Sequence, residues 1–182
     1  MSYVKAVRYE EAGPDVRERL DGIKKKLRRI PNIYAMIARS PVALKAFLEY
    51  GETLKKGELG PQELEAVALS IAQVNRCDYC LAAHTAIAKM SGLSEEDTWQ
   101  LRAGTSRDVK LKAAAALAKD IVETQGRPSR ENVDAFFAAG YSQAALVELI
   151  GLVSLNIFTN YFNHIAETEV DFPAYKPLSA EG

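Results

Sequence analysis

Apolar residues recur at helical spacing along almost the whole chain, and no stretch alternates convincingly at the period of a β-strand. The first such segment has its apolar residues at steps of three and four: Val16, Leu20, Ile23, Leu27 and Ile30. This spacing places them on one face of an amphipathic helix, and the intervening lysines and arginines form its solvated face. The sequence therefore predicts an all-α fold of about eight or nine helices.

Capping residues, prolines and glycines mark the predicted helix boundaries. Pro31 is expected to end the first helix, because the residue before a proline avoids the helical conformation. A helix is expected from about Cys77 to Ser91, with Gly92 as its left-handed cap. Other helix starts are predicted at polar or glycine caps, two of them followed by proline: Ser40, Gly60, Ser94, Ser106, Ser129 and Ser142.

The length of 182 residues fits a single domain. We expect its core to span about residues 40–170. Residues 1–39 would form an N-terminal helical extension. Residues 171–182, which contain two prolines and no helical period, would form an irregular tail that is draped or frayed.

Charge and hydropathy argue against two classes of partner. The chain has 23 basic and 24 acidic residues, so nucleic-acid binding is not expected as its main task. Its longest apolar stretch, Ala144 to Phe158, is interrupted by Glu148 and is shorter than the about 20 residues that cross a bilayer. The N-terminus has no apolar signal region, so a cytoplasmic location without membrane contact is predicted.

The segment from Glu65 to His84 carries the residues most suited to chemistry. It reads EAVALSIAQVNRCDYCLAAH: a glutamate, a CxxC pair and a histidine. Cys77, Cys80 and His84 lie three and four residues apart, so they share one helical face. A helix start also favours a thiolate, because the N-terminal end of the helix dipole is positive.

Glu65 is expected on the preceding helix, about three turns before the cysteines. If the two helices form an antiparallel hairpin around Asn75 and Arg76, Glu65 and His84 can approach each other behind the cysteines. Carboxylate, imidazole and thiols would then form a proton relay.

This segment resembles the core motif of the AhpD-like alkylhydroperoxidases, within the carboxymuconolactone decarboxylase superfamily. That motif has a glutamate, a CxxC pair and a histidine at the same intervals, and is more specific than CxxC alone. The similarity extends over about residues 40–170, and the Asn-rich segment NYFNH resembles the longer peroxidase-related members. One departure is Tyr79, which stands where the AhpD enzymes have histidine.

The resemblance implies an enzyme, a thiol-dependent peroxidase without metal, flavin or haem. Cys80 would be the peroxidatic thiol that a hydroperoxide oxidises to a sulfenic acid, and Cys77 the resolving thiol that closes a disulfide. His84 and Glu65 would form the relay that activates Cys80. A thiol or dithiol donor, of the lipoyl or thioredoxin type, would reduce the disulfide. The resemblance also implies a homo-oligomer, a trimer or a hexamer.

Other interpretations of the cysteine pair stay open. The two thiols could be buried and inert, or could bind zinc together with His84 and His164. Haem attachment is excluded, because Leu81 rather than a histidine follows the motif. Functional alternatives are a non-enzymatic redox sensor or disulfide-carrying protein, a helical oligomer with relic cysteines, and a decarboxylase-like activity. The last is disfavoured because the lactone decarboxylase branch typically lacks the CxxC pair.

Further polar residues are candidates for the pocket around the motif. Tyr79 could donate a hydrogen bond near the thiols or cover them. Asn160 and Asn163 could line the pocket. His164 is interpreted as a helix-end or interface histidine. Glu148, in an apolar helix, needs a partner or a water route and is interpreted as structural or interfacial.

A weak internal repeat connects some of these residues. At a constant offset of 83, the motif residues and their counterparts are Glu65 and Glu148, Cys77 and Asn160, and Cys80 and Asn163. The repeat predicts two degenerate helical half-units, the second without cysteines, although two apolar helices can also match by chance.

Overall fold

The computed structural model describes residues 2–176 and residue 178, and this part of the chain contains α-helices and one 3₁₀ turn but no β-strand. The all-α prediction is confirmed. The 3₁₀ turn is Tyr9–Glu11. The α-helices of this part are α1 Pro14–Leu27, α2 Asn32–Ile37, α3 Pro41–Leu54, α4 Pro61–Val74, α5 Asp78–Met90, α6 Glu95–Arg102, α7 Val109–Glu123, α8 Arg130–Ala138 and α9 Gln143–Ala166.

Most of the predicted caps are confirmed. Ser40, Ser129 and Ser142 each cap a helix by accepting a hydrogen bond from a backbone N–H of its first turn. Ser94 forms a complete capping box with Asp97 at the start of α6. These bonds satisfy backbone donors that a helix cannot pair internally, so local sequence fixes where the helices begin.

Two boundaries differ from the prediction. Helix α7 begins after Asp108 rather than after Ser106, because the Asp108 carboxylate accepts from the backbone N–H groups of Lys110 and Leu111. Helix α1 ends at Leu27, before Pro31, because Arg28 takes the left-handed conformation with φ of 63°. Pro31 instead caps α2, a short helix that the sequence analysis did not predict.

Helix α4 lies at the centre of the fold and packs against α5, α6, α7 and α9. All seven residues from Ala66 to Ala72 are buried. The facing helix α7 is rich in buried alanines, including Ala114 and Ala118. Small side chains there allow the two helices to pack closely. The helix that carries Glu65 is therefore held on several sides.

Helix α9 is longer than the apolar stretch recognised in the sequence, since it continues past Phe158 to Ala166. By length and composition alone it is long and apolar enough to cross a membrane, so the length argument against a membrane span is wrong. A core helix passes the same test, and α9 packs against α3, α4, α5 and α7. It buries Asn156, Asn160 and Asn163 against these neighbours.

The N-terminal helices and the tail pack around the start of α5. Residues of α1 and α2, among them Leu20 and Ile37, share one apolar cluster with Cys77 and Cys80. Phe172 of the tail packs against the same cluster. The tail follows α9 without further helix as far as it is described, and it is draped over the core; residues 177 and 179–182 of the predicted tail lie outside the described residues.

The predicted repeat is only partly visible in the structure. The offset of 83 aligns α4 with the first half of α9. The turn before Cys77 has no counterpart, because Asn160 and Asn163 lie within the continuous helix α9. The counterparts nevertheless meet in space, since Asn163 contacts Cys80.

Candidate active site

A tight turn between α4 and α5 places the first cysteine at a helix start. The backbone N–H of Cys77 donates to the carbonyl of Ala72, and that of Arg76 donates to Gln73. This pair of bonds is a Schellman motif, which requires a left-handed residue after the helix. Arg76 fills that position with φ of 53°. The turn reverses the chain within three residues, so α4 and α5 form the expected hairpin.

Cys77 and Cys80 are joined by a disulfide at the start of α5, with their Cα atoms 5.3 Å apart. Cys77 is the N-cap residue, and its Sγ accepts from the backbone N–H of Cys80 at 3.3 Å. Both residues are buried, with 1% and 3% of their surfaces exposed. The sulfurs therefore lie at the positive end of a helix and are shielded from bulk water.

Glu65 and His84 form a hydrogen-bonded pair across the hairpin. His84 Nδ1 lies 2.8 Å from Glu65 Oε2. Both side chains are partly buried, with 12% of Glu65 and 23% of His84 exposed. A carboxylate can only accept, so Nδ1 carries the proton and Nε2 is left as the proton acceptor of the ring. The expected approach of these two residues is observed.

The described residues show no hydrogen bond between the sulfurs and the imidazole. Within the described chain, neither cysteine forms a hydrogen bond with His84; the imidazole bonds to Glu65 instead. The sequence spacing of Cys80 and His84 puts them on one helical face but one turn apart. Proton transfer between a cysteine and His84 requires the reduced form, because the sulfurs of a disulfide carry no proton.

Two asparagines of α9 face the turn that carries the cysteines. Asn163 Nδ2 lies 3.3 Å from Cys80 Sγ and 3.9 Å from Cys77 Sγ. One turn earlier, Asn160 Oδ1 accepts from Asn75 Nδ2 at 2.9 Å, which ties α9 to the turn between α4 and α5. Both asparagines are buried; Asn163 bonds to a sulfur, whereas Asn160 bonds to the turn.

The hydroxyl of Tyr79 bonds to the tail and to α2, and not to a sulfur, although the residue is buried in the same apolar cluster as Cys77 and Cys80. Its hydroxyl donates to Asp171 Oδ1 at 2.8 Å and accepts from the backbone N–H of Ile33 at 3.3 Å. Asp171 also binds Arg29 at 2.5 Å. Burial, followed by the bond to Asp171, raises the pKa of Tyr79 well above its ordinary value, so the hydroxyl stays protonated.

The other residue between the cysteines also contacts the tail. Asp78 accepts a hydrogen bond from the hydroxyl of Tyr175 at 2.6 Å. The guanidinium of Arg102 lies 4.7 Å from the centre of the Tyr175 ring, and it donates to the carbonyl of Lys176. Both inter-cysteine residues are thus bound to residues 171–176, which we call the tail strap.

A cavity of about 260 Å³ lies beside the start of α5. Neither cysteine is among the residues that line it, so the cavity lies next to the cysteine pair and does not open onto it. The lining residues are Gln73, Arg76, Asp78, Leu81, Arg102, Tyr175 and Leu178.

Two residues from the sequence analysis lie away from the cysteines. His164 is exposed on the last turn of α9, as expected for a helix-end histidine. Glu148 accepts from the backbone N–H of Glu58 at 2.7 Å and so supports the loop between α3 and α4. The carboxylate also lies against Gly57, where an added Cβ atom would force the Glu148 side chain to shift. Glu148 is therefore structural.

A zinc site finds no support in the described residues, which contain no group of three or more His, Cys, Asp and Glu side chains placed to hold a metal. His84 turns to Glu65, and His164 lies at the exposed end of α9. Sequence reasoning missed Asp171 and Arg29, which fix the tail strap. No local pattern marks them, because they meet across more than half of the chain.

Comparisons with known proteins agree with this fold. The model of the carboxymuconolactone decarboxylase family matches residues 41–120. No curated protein matches the chain in sequence. Among solved structures, the chain is similar to the alkylhydroperoxidase AhpD core of an uncharacterized peroxidase-related protein from Ralstonia eutropha JMP134. The TM-score is 0.85, with 18% identity over 93% of this chain and 92% of that chain.

Two other solved structures show the same fold. An uncharacterized peroxidase-related protein from Silicibacter sp. TM1040 has a TM-score of 0.78 and 18% identity, over 93% of this chain and 94% of that chain. The debrominase Bmp8 has a TM-score of 0.80 and 20% identity, over 94% of this chain and 93% of that chain. A cysteine-to-alanine variant of Bmp8 was solved in complex with 2,3,4-tribromopyrrole. These likenesses confirm the resemblance seen in the sequence: in residues 41–120 the chain matches the carboxymuconolactone decarboxylase family, and its fold is AhpD-like.

Proposed function

We propose that the chain is a thiol-dependent peroxidase that reduces organic hydroperoxides or hydrogen peroxide at Cys77 and Cys80. The observation that carries the proposal is the disulfide beside the hydrogen-bonded pair of Glu65 and His84. A peroxidatic thiol needs a partner sulfur within bonding distance and a nearby base for its proton. Two helices joined by one short turn supply all four residues.

The first step takes place in the reduced protein. The Cys80 thiolate attacks the terminal oxygen of the hydroperoxide, and an S–O bond forms as the O–O bond breaks. Cys80 becomes a sulfenic acid, and the alkoxide leaves and takes up a proton to become an alcohol. With hydrogen peroxide the leaving group becomes water.

The second step closes the disulfide. Cys77 attacks the sulfur of the sulfenic acid, the S–O bond breaks, and hydroxide leaves as water with the thiol proton. The Cα separation of 5.3 Å is within the range of disulfides, so this step needs no large backbone movement. A thiol or dithiol donor then reduces the disulfide by exchange and is itself oxidised.

His84 and Glu65 would move the protons. With Nδ1–H bound to Glu65, the free Nε2 accepts the proton of the Cys80 thiol, directly or through one water molecule. The Glu65 carboxylate stabilises the imidazolium that forms. The imidazolium then protonates the departing alkoxide, so the relay returns to its starting state within one turnover.

A turnover assay with matched variants tests the proposal. The wild-type protein should consume hydroperoxide while oxidising one dithiol donor per peroxide, and Cys80→Ser should be inactive. His164→Gln is the control for His84→Gln, because it removes the exposed histidine on α9. Disulfide formation without turnover would instead favour the redox sensor. A failure of the reduced protein to react with any hydroperoxide would contradict the peroxidase.

A second candidate follows from the likeness to a debrominase. A dithiol can supply two electrons to a brominated pyrrole, so that the C–Br bond is replaced by C–H, bromide leaves and Cys77–Cys80 is oxidised to the disulfide. Incubation of the reduced protein with 2,3,4-tribromopyrrole should then release bromide in proportion to the disulfide formed. Bromide release exceeding peroxide turnover would favour this reaction over the peroxidase.

We propose a homo-oligomer on the basis of an exposed apolar stripe along α9. Its members are three, eight, three and four residues apart, which keeps them on one side of the helix, and they remain solvent-exposed in the single chain: Val147, Ile150, Phe158, Tyr161 and Ile165. A second copy of the chain could cover this stripe. The trimer or hexamer, the cytoplasmic location and the lack of nucleic-acid and membrane partners stay predictions.

A further inference from the structure

Asn163 is the one side-chain hydrogen-bond donor that reaches both sulfurs in the described part of the chain. Its Nδ2 lies 3.3 Å from Cys80 Sγ and 3.9 Å from Cys77 Sγ. The residue is 5% exposed and belongs to α9, which packs on the helix that carries the cysteines. An N–H group aimed at a buried sulfur favours the thiolate over the thiol, because water cannot solvate the charge there.

The other end of the same amide is left unpaired. Asn163 Oδ1 is buried and has no hydrogen-bond partner among the described residues. A buried polar atom without a partner destabilises the folded state, so packing alone does not account for an asparagine at this position. Asn163 can therefore act at this site in two ways: its Nδ2 donates to the sulfurs, and its Oδ1 can accept a hydrogen bond from a bound molecule.

We propose that Asn163 is a further catalytic residue: its Nδ2–H stabilises the Cys80 thiolate, and its Oδ1 accepts a hydrogen bond from the O–H of the hydroperoxide that Cys80 attacks. The second half of this proposal rests on the proposed peroxidase function. The first half concerns the reduced protein alone.

The two sulfurs differ in the hydrogen-bond donors that surround them. Cys77 Sγ accepts from the backbone N–H of Cys80 at 3.3 Å, a bond that any CxxC pair at a helix start can form. The side-chain donor of Asn163, 83 residues from Cys80, lies closer to Cys80 Sγ, at 3.3 Å, than to Cys77 Sγ, at 3.9 Å. Asn163 therefore supports Cys80, rather than Cys77, as the sulfur that carries the charge.

The free oxygen fits the chemistry of the first step. The terminal oxygen of a hydroperoxide keeps its hydrogen when it is transferred, since the thiolate becomes Cys–S–OH while RO⁻ leaves. An acceptor for that O–H next to the sulfur can hold the oxygen before the transfer and the sulfenic acid after it. Asn163 Oδ1 is such an acceptor, because it belongs to the same amide as the donor to Cys80.

The first test measures the acidity of Cys80 without any peroxide. Two reduced proteins are compared: the Cys77→Ser variant, which keeps Asn163, and the double variant with Cys77→Ser and Asn163→Ala. Thiolate absorbance near 240 nm is followed against pH for each. Losing one hydrogen bond to a charged acceptor should weaken the acidity of the Cys80 thiol by about tenfold to a hundredfold. The matched control is Asn156→Ala, a buried asparagine of α9 whose amide bonds to its own helix. Acidity that changes less than twofold in Asn163→Ala would overturn the proposal.

The second test compares two electrophiles above the thiol pKa of every variant. A more basic thiolate is intrinsically more nucleophilic, so Asn163→Ala should react faster per thiolate with iodoacetamide, which offers no O–H group. With a hydroperoxide the same variant should react more slowly, because the contact with Oδ1 is lost. A faster reaction with both electrophiles would overturn the role of Oδ1.

A second variant covers the case in which Asn163→Ala does not fold. Asn163→Asp keeps the shape of the side chain but replaces the donor beside Cys80 with a carboxylate, so the thiol should become less acidic still. Unchanged acidity in Asn163→Asp would overturn the proposal. If both variants change the acidity as expected but wild type does not react with hydroperoxides, the thiolate role stands and the peroxidase function fails.

Discussion

The carboxylate of Glu65 is the part of the site whose removal is most informative. Glu65→Gln preserves the shape of the side chain, and the glutamine carbonyl can accept the same 2.8 Å hydrogen bond from His84 Nδ1. The ring tautomer that leaves Nε2 free is therefore retained. What disappears is the negative charge beside the imidazolium that forms once the thiol proton has been taken.

The geometry of the pair gives the size of the effect. Two unit charges about 4 Å apart interact by about 4 kcal/mol at the effective dielectric constant of about 20 near a protein surface. Because Glu65 and His84 are 12% and 23% exposed, solvent screens part of this energy. We therefore expect a loss of about 3 kcal/mol of transition-state stabilisation, or about 10² in rate.

The assay is kcat/KM for a hydroperoxide at saturating dithiol, with far-UV circular dichroism to verify that the helix content is unchanged. Glu63→Gln is the matched control, since it neutralises another glutamate of α4 that does not bond to His84. Activity of Glu65→Gln equal to wild type would show that the carboxylate is structural and would refute the relay.

Other residues give predictions of the same kind. His84→Gln should be slow at pH 7 and approach wild type above about pH 8.5, the ordinary thiol pKa, because hydroxide then removes the proton; equal rates at pH 7 would exclude the histidine. Asp171→Ala removes the acceptor of Tyr79 and Arg29 and should lower the free energy of unfolding in urea by about 2 kcal/mol. An unchanged midpoint of urea unfolding would show that the tail strap does not stabilise the fold through Asp171. Burial, followed by the bond to Asp78, raises the pKa of Tyr175 to about 12. Its stabilising effect should thus be complete below about pH 10 and lost as pH rises through the folded pKa. Tyrosinate absorbance of wild type minus Tyr175→Phe measures this, and a transition near pH 10 would contradict it.

Local features of this chain could be predicted from the sequence, because neighbouring residues determine them. The caps at Ser40, Ser94 and Ser129 bond within three residues, so a short motif contains the whole interaction. The meeting of Glu65 and His84 was also predictable. They lie 19 residues apart on two helices joined by one short turn, and helical periodicity then sets which faces meet.

Long-range contacts at the site were not predictable in this way. Tyr79 bonds to Asp171 across 92 residues, and Asn163 reaches Cys80 across 83. Which residues meet over such distances depends on how α9 and the tail pack, and a single sequence does not encode that packing as a local pattern. The internal repeat did align Asn163 with Cys80, although it did not indicate that the two residues touch.

The central claim is that Cys77 and Cys80 transfer two electrons to a hydroperoxide. The most direct measurement is the mass of the fully reduced protein before and after one equivalent of hydroperoxide, with free thiols then blocked by iodoacetamide. We predict a loss of about two mass units, the two thiol hydrogens, and no alkylation of either cysteine. Alkylation of both cysteines after peroxide treatment, or a stable gain of oxygen with no disulfide, would contradict the account.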